Sequence, residues 1–327
     1  MLITKADKKT YLNLIQSKEN KTLIHFFVFL EVFSREGGIQ SYVKDMFQAY
    51  STLSKPLRGE VFLLRDEKGC VNPFESERLQ FRYFKAKSSQ VGRAKMTLAL
   101  FKRLIHERPD HVFCGHAYLA PLVGTLCQPL GIPYTVITHG KEVWQPLPKL
   151  TKTSLQKASQ IWTVSRYTRE IASTTNSLNT SKIKIFPCAV NGNRFTPGAK
   201  PTDLLERYGL GGAKVLMSVT RLWSGDIYKG VYVTIRALSQ IAKVFPEVKY
   251  LVIGRGDDQP RLMQLAKDLG VEDKVVFAGF VPTEELVRHY HLADAYIMPS
   301  QEGFGIVYLE AMACGVPVLS GDADGSA

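Results

Sequence analysis

Two glutamates, Glu302 and Glu310, are the residues of this sequence whose setting most suggests chemistry. Between them, Gly303 and Gly305 would let the backbone approach a ligand closely, and a helix beginning there would offer N–H groups to a phosphate. Glu310 stands in an apolar run, where a carboxylate is costly unless donors such as sugar hydroxyls meet it. The segment predicts a site for a hydroxyl-rich, phosphorylated ligand. The alternative is that Glu310 is an ordinary surface residue and that Glu302, near the start of the helix, interacts favourably with the helix dipole.

Two cations, Arg221 and Lys229, follow another apolar run. A guanidinium fork and an ammonium point charge suit a diphosphate. The segment Asp322-Ala323-Asp324 has the form of a carboxylate pair for a divalent cation. A glycine-flanked loop of this kind is more simply a turn.

His139 and the pair Gly37-Gly38 each follow a short apolar run as well. An imidazole at the end of a strand is a candidate catalytic group, although a lone histidine is also common as a satisfied core residue. A glycine pair is usually a turn. Their positions after strands make all three residues candidates for the same site.

The apolar runs that would position these residues alternate with segments of helical spacing. This rhythm predicts βαβ units and parallel sheets, whose ligands bind beyond the carboxyl ends of the strands. The expected fold class is α/β, with two doubly wound Rossmann-like domains. The expected strands are 23–30, 61–64, 111–114, 134–138, 161–164 and 183–187, then 215–220, 250–253, 275–278, 295–299 and 316–320. The expected helices are 39–53, 98–105, 121–130 and 166–172, then 231–244, 259–269, 283–293 and 305–314.

A length of 327 residues exceeds the usual size of a single core and predicts two domains. The turn-rich stretch 191–201 is the expected linker. The first domain is therefore expected over 1–195, with 1–21 as an extension, and the second over 196–327.

The excess of positive charge lies in the first half of the chain. Residues 1–195 hold 29 Lys and Arg against 14 Asp and Glu, a balance of +15, whereas residues 196–327 hold 13 against 16, a balance of −3. The asymmetry indicates a phosphate-bearing substrate, an anionic lipid surface or nucleic acid as a partner, or simply a solvated basic surface. Cations interleaved with apolar residues suit an anionic membrane, and they concentrate at Arg82, Lys85, Lys87, Arg93, Lys95, Lys102 and Arg103.

The five cysteines are scattered and form no CxxC pair, which argues against a disulfide framework or zinc site and for a reducing compartment. No apolar run approaches the roughly 20 residues of a membrane-spanning helix, and the first residues do not have the pattern of a signal peptide. We expect a cytoplasmic protein that is at most peripheral to the inner membrane face.

The order of these segments resembles that of the retaining family-4 glycosyltransferases, whose GT-B fold has two Rossmann-like domains facing a central cleft. The stretch from Glu302 to Glu310 resembles their E-x7-E motif. Arg221 and Lys229-Gly230 resemble the Arg and Lys-Gly pair that holds the donor diphosphate.

Three shorter segments extend the resemblance over about residues 22–327. Gly37-Gly38 resembles the glycine loop, Thr138-His139-Gly140 the active-site histidine, and Gly279-Phe280-Val281 the segment whose backbone reads the nucleobase.

The resemblance implies transfer of a sugar from a nucleoside diphosphate sugar to a hydroxyl of a glycan or lipid-linked acceptor, with retention. It implies that His139 positions the donor sugar, Glu302 holds the sugar hydroxyls and Glu310 holds the ribose. It also implies that Arg221, Lys229 and helix N-termini offset the charge of the leaving diphosphate, so we expect neither a metal nor a cofactor. The domains would close over the donor and exclude water. The implied donor-binding residues are Gly37, Gly38, Arg221, Lys229, Phe280, Val281, Gly303, Phe304, Gly305 and Glu310.

Three features depart from the family pattern. The segment between Arg221 and Lys229 is longer than usual, and residues 187–191 read Pro-Cys-Ala-Val-Asn where Pro-Asn-Gly-Val-Asp is more common. Family members also usually continue beyond the point where this sequence ends, so the second domain is expected to be incomplete.

Two other classes of function fit parts of the sequence. The first is another GT-B enzyme, such as a sugar-nucleotide epimerase or a phosphorylase. The second is a non-catalytic basic module for a membrane or nucleic acid, although the sequence holds no nucleic-acid motif. A nicotinamide-dependent oxidoreductase is disfavoured, because no GxGxxG follows an early strand.

Overall fold

A computed structural model describes residues 21–322 and 324–325. Of the extension expected over 1–21, only Lys21 lies within the described residues. The chain divides into two units: the first holds the chain up to Thr163 together with Arg169–Phe186, and the second holds Val164–Thr168 and the chain from Pro187 onward. The change of unit at Pro187 precedes the linker expected over 191–201.

The first half of the chain forms seven strands and five helices in the described residues. The strands are β1 (Leu23–Phe29), β2 (Leu57–Leu63), β3 (Leu79–Tyr83), β4 (His111–Cys114), β5 (Tyr134–Thr138), β6 (Gln160–Thr163) and β7 (Ile183–Ile185). The helices are α1 (Gly38–Thr52), α2 (Ser89–Glu107), α3 (Ala120–Cys127), α4 (Lys149–Lys157) and α5 (Arg166–Asn176). The sheet order is β3-β2-β1-β4-β5-β6-β7, and all neighbouring strands are parallel.

Strand β1 shows why this sheet is buried on both faces. Alternate side chains of a strand point to opposite faces. Phe26 and Val28 join the core cluster that contains Met96 of α2, while Phe29 packs edge-on against Phe47 of α1 with ring centroids 5.6 Å apart. A strand that is buried on both faces needs a continuous run of apolar residues, which is typical of strands in parallel sheets.

The second half forms a five-stranded parallel sheet and its helices. The strands are β8 (Lys214–Val219), β9 (Val248–Ile253), β10 (Val275–Gly279), β11 (Ala295–Ile297) and β12 (Val318–Leu319). The helices are α6 (Thr202–Arg207), α7 (Val231–Val244), α8 (Gln259–Asp268), α9 (Leu286–Tyr290) and α10 (Ile306–Ala313). The sheet order is β10-β9-β8-β11-β12. Its two faces bury separate clusters, with Leu251 of β9 on one and Tyr250 on the other.

Three elements were not expected from the sequence. Strand β3 lies at an edge and buries only Leu79 and Phe81, so its apolar pattern is brief. Helices α4 and α6 are short and mostly polar. The helix expected over 283–293 is divided into a 3-10 turn (Thr283–Glu285) and α9. Within the described part of the chain, no helix has both the length and the apolar character needed to cross a membrane.

Candidate functional site

Glu302 lies in the loop between β11 and α10 and is held at both its side chain and its backbone. Lys229 Nζ donates to its carboxylate, and so does Ser300 Oγ at 3.1 Å. Its backbone N–H donates to Asp324 Oδ2 at 2.5 Å, and its carbonyl accepts from Gly325 N–H at 2.8 Å. The Lys229 and Glu302 side chains are only 18% and 14% exposed, so their ion pair is largely shielded from water.

The sequence predicted that Asp324 and Gly325 are part of a simple turn. Asp324 is buried, and a Cβ added at Gly325 would lie 2.0 Å from the Gly303 carbonyl oxygen. The loop therefore packs against the glutamate segment and orients Glu302 through its backbone. Ala323, the middle residue of the Asp-x-Asp form, lies outside the described residues. In the sequence, the glycine beside Asp324 was the feature that indicated a close approach of the backbone to the glutamate segment.

Arg221 and Lys229 line one recess of the second unit, together with Asp226, Asp258 and Arg261. The long segment between the two cations folds as a 3-10 turn (Ser224–Lys229), which brings its ends to the same recess. Arg221 pairs with buried Asp226 at 2.7 Å. The extra length of this segment thus leaves both cations beside one small recess, whose volume of about 10 Å³ leaves room for roughly one water molecule.

Helix α10 begins directly after Gly305, whose φ of 82° is a conformation that favours glycine. The first N–H groups of a helix have no partner within it, so this terminus suits an anion. Gly303 and Phe304 form the approach to that terminus. The glycine spacing around Glu302 is therefore explained by a backbone turn that exposes N–H donors.

Glu310 lies on α10 and accepts a hydrogen bond from the Tyr290 hydroxyl at 2.7 Å. Tyr290 is fully buried, and burial raises its pKa well above the ordinary value. The phenol therefore stays protonated and orients the carboxylate. This partner on α9 was not anticipated from the sequence, where Tyr290 has the spacing of a core residue.

Phe280 and Val281 follow β10 but differ in what they offer a ligand. The Phe280 ring is exposed, and the Arg255 guanidinium lies over it, 4.7 Å from the centroid. The Val281 side chain is buried in the core, so only its backbone remains for contact.

His139 follows β5 in the first unit, and its ring is oriented by the backbone. Its Nε2 lies 2.9 Å from the Gly115 carbonyl, which can only accept, so Nε2 carries the proton and Nδ1 of the neutral ring keeps a lone pair. Its backbone N–H donates to Glu142 at 2.5 Å. The Tyr42 ring packs edge-on, with centroids 5.7 Å apart.

His116, which was not among the predicted site residues, lies beside His139. Their ring centroids are 5.8 Å apart, and the Tyr118 backbone N–H donates to His116 Nδ1 at 3.2 Å. Burial lowers the pKa of His116 to about 4, so the ring is neutral near pH 7. Its place directly after β4 was the signal that could have identified it.

Gly37 and Gly38 lie where the loop after β1 enters α1. The beginning of this loop is fixed by Asp66, a buried residue that follows β2. Its carboxylate accepts from the backbone N–H groups of Val32, Phe33 and Ser34 at 2.7, 3.0 and 2.7 Å. Asp66 therefore orders the approach to the glycine pair.

The predicted site residues thus form two groups, one in each unit. The second unit holds the glutamates, the cations and the segment after β10, and the first unit holds His139 and the glycine pair. Among residues 21–322 and 324–325, no cluster of three His, Cys, Asp or Glu side chains could hold a metal ion.

The chain is similar in sequence to a known protein family and to several known proteins. The family model described as "Glycosyl transferases group 1" matches residues 207–327. A GDP-mannose-dependent alpha-(1-6)-phosphatidylinositol monomannoside mannosyltransferase of Mycolicibacterium smegmatis is 32% identical over 312 residues, which cover 89% of this chain and 78% of the relative. A GDP-mannose-dependent monoacylated alpha-(1-6)-phosphatidylinositol monomannoside mannosyltransferase of Corynebacterium glutamicum is 30% identical and covers the same shares.

Solved structures match the fold over most of the chain. Anabaena Alr3699/HepE in complex with UDP-glucose superposes with a TM-score of 0.74 at 19% identity, covering 93% of this chain and 82% of that one. WaaG, a glycosyltransferase of lipopolysaccharide biosynthesis, superposes with a TM-score of 0.66 at 15% identity, covering 93% and 82%. The fold is therefore GT-B-like α/β with two Rossmann-type parallel sheets, as the sequence predicted.

Proposed function

This chain belongs to the group 1 glycosyl transferases, and from that membership we propose that it transfers a hexose from a nucleoside diphosphate sugar to a hydroxyl acceptor with retention of configuration. It is a glycosyltransferase of the hexosyltransferase class that acts in glycolipid or glycan synthesis. The observation that carries the proposal is the cluster around Glu302, where an acid, a cation and a helix N-terminus meet at the carboxyl end of β11.

The groups of the second unit support binding of the donor. Arg221 and Lys229, which line one recess, would bind the diphosphate and offset its charge as it leaves. Glu302 would hold the sugar hydroxyls, and Glu310 would hold the ribose in the orientation that its Tyr290 bond favours. The backbone of Phe280 and Val281 would read the base.

In the first unit, we propose that His139 binds the donor sugar. Its Nδ1 lone pair would accept from a sugar hydroxyl while Gly115 fixes the ring. Gly37 and Gly38 would present backbone to the donor, on a loop that Asp66 orders.

For the donor, we propose GDP-mannose, because the relatives that match most of the chain are GDP-mannose-dependent. A thermal-shift panel of GDP, UDP, ADP and their sugars tests this, since a ligand that binds the folded state raises its unfolding temperature. GDP and GDP-mannose should give the largest rise. A larger rise with UDP-glucose would contradict the choice of base while leaving the reaction class intact.

For the acceptor, we propose a lipid-linked glycan built on phosphoinositol, because those relatives act on phosphatidylinositol monomannosides. The positive balance of residues 1–195 suits an anionic acceptor. We also propose that the protein works in the cytoplasm as a peripheral membrane protein. Product analysis by mass spectrometry should show a new glycoside, whereas an isomerised nucleotide sugar or a sugar phosphate would indicate an epimerase or a phosphorylase.

Retention and independence from metals are the remaining parts of the proposal. The anomeric configuration of the product, read by NMR, should equal that of the donor. Because two cations and a helix terminus can offset the diphosphate charge, EDTA should leave the rate unchanged. A rate lost in EDTA and restored by Mg²⁺ would contradict this part alone.

A further inference from the structure

Arg255 follows β9 on a stretch of backbone that two glycines bring close to the neighbouring segment. A Cβ added at Gly254 would lie 1.7 Å from the Thr220 carbonyl oxygen, and one added at Gly256 would lie 1.8 Å from the Leu222 carbonyl oxygen. The Arg255 carbonyl also accepts from the Leu222 backbone N–H at 3.1 Å. Contacts as close as these fix the point from which the Arg255 side chain projects.

The Arg255 side chain is exposed, and its guanidinium lies over a flat apolar face. Its Cζ is 4.7 Å from the centroid of the Phe280 ring, within the range of a cation–π contact. A guanidinium that lies over a ring keeps its N–H groups for other partners, because this contact uses the face of the group and not its donors. The ring therefore holds a fork of donors in place.

The acids nearest Arg255 in the sequence are bonded to other groups. Asp257 accepts from the Ser224 hydroxyl at 2.6 Å, and Asp258 accepts from Arg261 at 2.6 and 2.7 Å. In the part of the chain that the structure describes, Arg255 forms no ion pair with a carboxylate. Its charge and its donors are therefore available to a ligand.

The sheet order places Arg255 between the groups assigned to the two ends of the nucleotide. Strand β9 lies between β10, which Phe280 follows, and β8, which Arg221 follows. Phe280 belongs to the segment assigned to the base, and Arg221 is assigned to the diphosphate. Because the guanidinium lies over the Phe280 ring, its donors fall at the end of the site assigned to the base.

We propose that Arg255 is a specificity-determining residue that reads guanine in the donor. This inference rests on the proposed donor, GDP-mannose. An arginine fork donates to the O6 and N7 acceptors of guanine, whereas adenine presents an N6 donor beside its N7 and opposes the second bond. Uracil lacks the five-membered ring that carries N7. Arg255 thus favours GDP over both ADP and UDP, while the backbone of Phe280 and Val281 contacts the base without distinguishing these edges.

Calorimetry with the full chain, GDP and 7-deaza-GDP tests the proposal, because 7-deaza-GDP has a carbon in place of N7. The wild type should bind 7-deaza-GDP roughly 5- to 10-fold more weakly than GDP, since one hydrogen bond is lost. Arg255→Met keeps an apolar side chain against the Phe280 ring but has no donors. It should bind GDP roughly 10- to 100-fold more weakly than the wild type does and should no longer distinguish GDP from 7-deaza-GDP.

Arg207→Met is the matched control. Arg207 is also exposed and also lies over an aromatic ring, that of Tyr208, with its Cζ 5.4 Å from the centroid. It is the last residue of α6 and is not assigned to the nucleotide. This variant should keep the wild-type affinity for GDP and the wild-type preference for GDP over 7-deaza-GDP.

The outcomes separate this inference from the proposed donor. If the wild type prefers GDP and Arg255→Met keeps both that preference and the effect of N7, Arg255 does not read the base and GDP-mannose remains the proposed donor. An equal loss of affinity for GDP, ADP and UDP in Arg255→Met would also overturn the inference, because the side chain would then bind the diphosphate or stabilise the fold. A wild type that binds UDP most tightly would contradict the donor itself, and the reading of guanine with it.

Discussion

At Glu302, a single residue is held by contacts that are distant in sequence. Lys229, Ser300, Asp324 and Gly325 all bond to it, so its position depends on its own loop and on two segments distant in sequence. Convergence of this kind raises the cost of removing any one partner, because the groups that remain are shielded from water.

The ion pair between Lys229 and Glu302 gives a first prediction. Lys229→Met leaves a carboxylate largely buried without its cation, and should lower the free energy of unfolding by about 1–3 kcal/mol. The double variant Lys229→Met/Glu302→Gln should recover part of that loss, as measured by urea unfolding. Equal losses in the single and double variants would show that the loss does not come from leaving the Glu302 carboxylate without its cation. Both should bind GDP weakly, because Lys229 is assigned to the diphosphate.

Tyr290 gives a second prediction, for nucleotide affinity. Tyr290→Phe removes the hydroxyl that orients Glu310 and should weaken GDP binding about 5- to 10-fold in calorimetry, because one hydrogen bond contributes a net free energy of about 1 kcal/mol. The loss should vanish with a nucleotide that lacks the ribose hydroxyls, since Glu310 then has nothing to hold. Tyr296→Phe is the control, because that hydroxyl bonds to the backbone of Val219. A loss of affinity that persists with the nucleotide lacking ribose hydroxyls would show that Tyr290 acts through packing and not through Glu310.

Two histidines in the first sheet give a third prediction, for pH. Burial lowers the pKa of His111 to about 4 and also lowers that of His25 from its ordinary 6.5. As pH falls below 6.5, the unfolded chain binds protons before the folded one does. Stability present above pH 6.5 should therefore be lost progressively towards pH 4 in urea unfolding. His111→Asn should flatten this slope, whereas the exposed His106→Gln should not.

At the scale of elements, the segments after β11 and β12 act as one structure. Gly325 packs so closely on Gly303 that a side chain there must push the glutamate loop away. Gly325→Ala should lower nucleotide affinity at least 10-fold while the circular dichroism spectrum stays native. Gly192→Ala, where an added Cβ meets open space, is the matched control. Wild-type affinity in Gly325→Ala would show that the loop does not set the site.

The sequence predicted most strands of both sheets, because burial on both faces demands continuous apolar runs such as that of β1. It did not predict β3, whose edge position leaves only Leu79 and Phe81 buried. It located Glu302 and Lys229 individually, but their pairing needs the turn that ends at Lys229. Asp324 and His116 had only weak signals in the sequence, an adjoining glycine and a position after β4, because their roles arise from contacts that only the folded chain makes.

At the scale of the molecule, the two units differ in charge and in the chemistry assigned to them. Because the nucleotide groups all lie in the second unit, GDP should slow amide exchange most strongly around residues 221–230 and 300–310. Hydrogen-exchange mass spectrometry measures this peptide by peptide. Protection concentrated instead in α2 (Ser89–Glu107) would contradict the assignment, because this helix holds none of the residues assigned to the donor.

The dependence of Glu302 on Asp324 and Gly325 also has a consequence during translation. The ribosome synthesises the glutamate loop before the residues that hold its backbone. A nascent chain that stalls before residue 324 would carry every cation and both glutamates, yet could not fix Glu302 in place. The backbone of Glu302 is therefore fixed only after residues 324 and 325 have been synthesised, although its side chain already has Lys229 and Ser300 as partners.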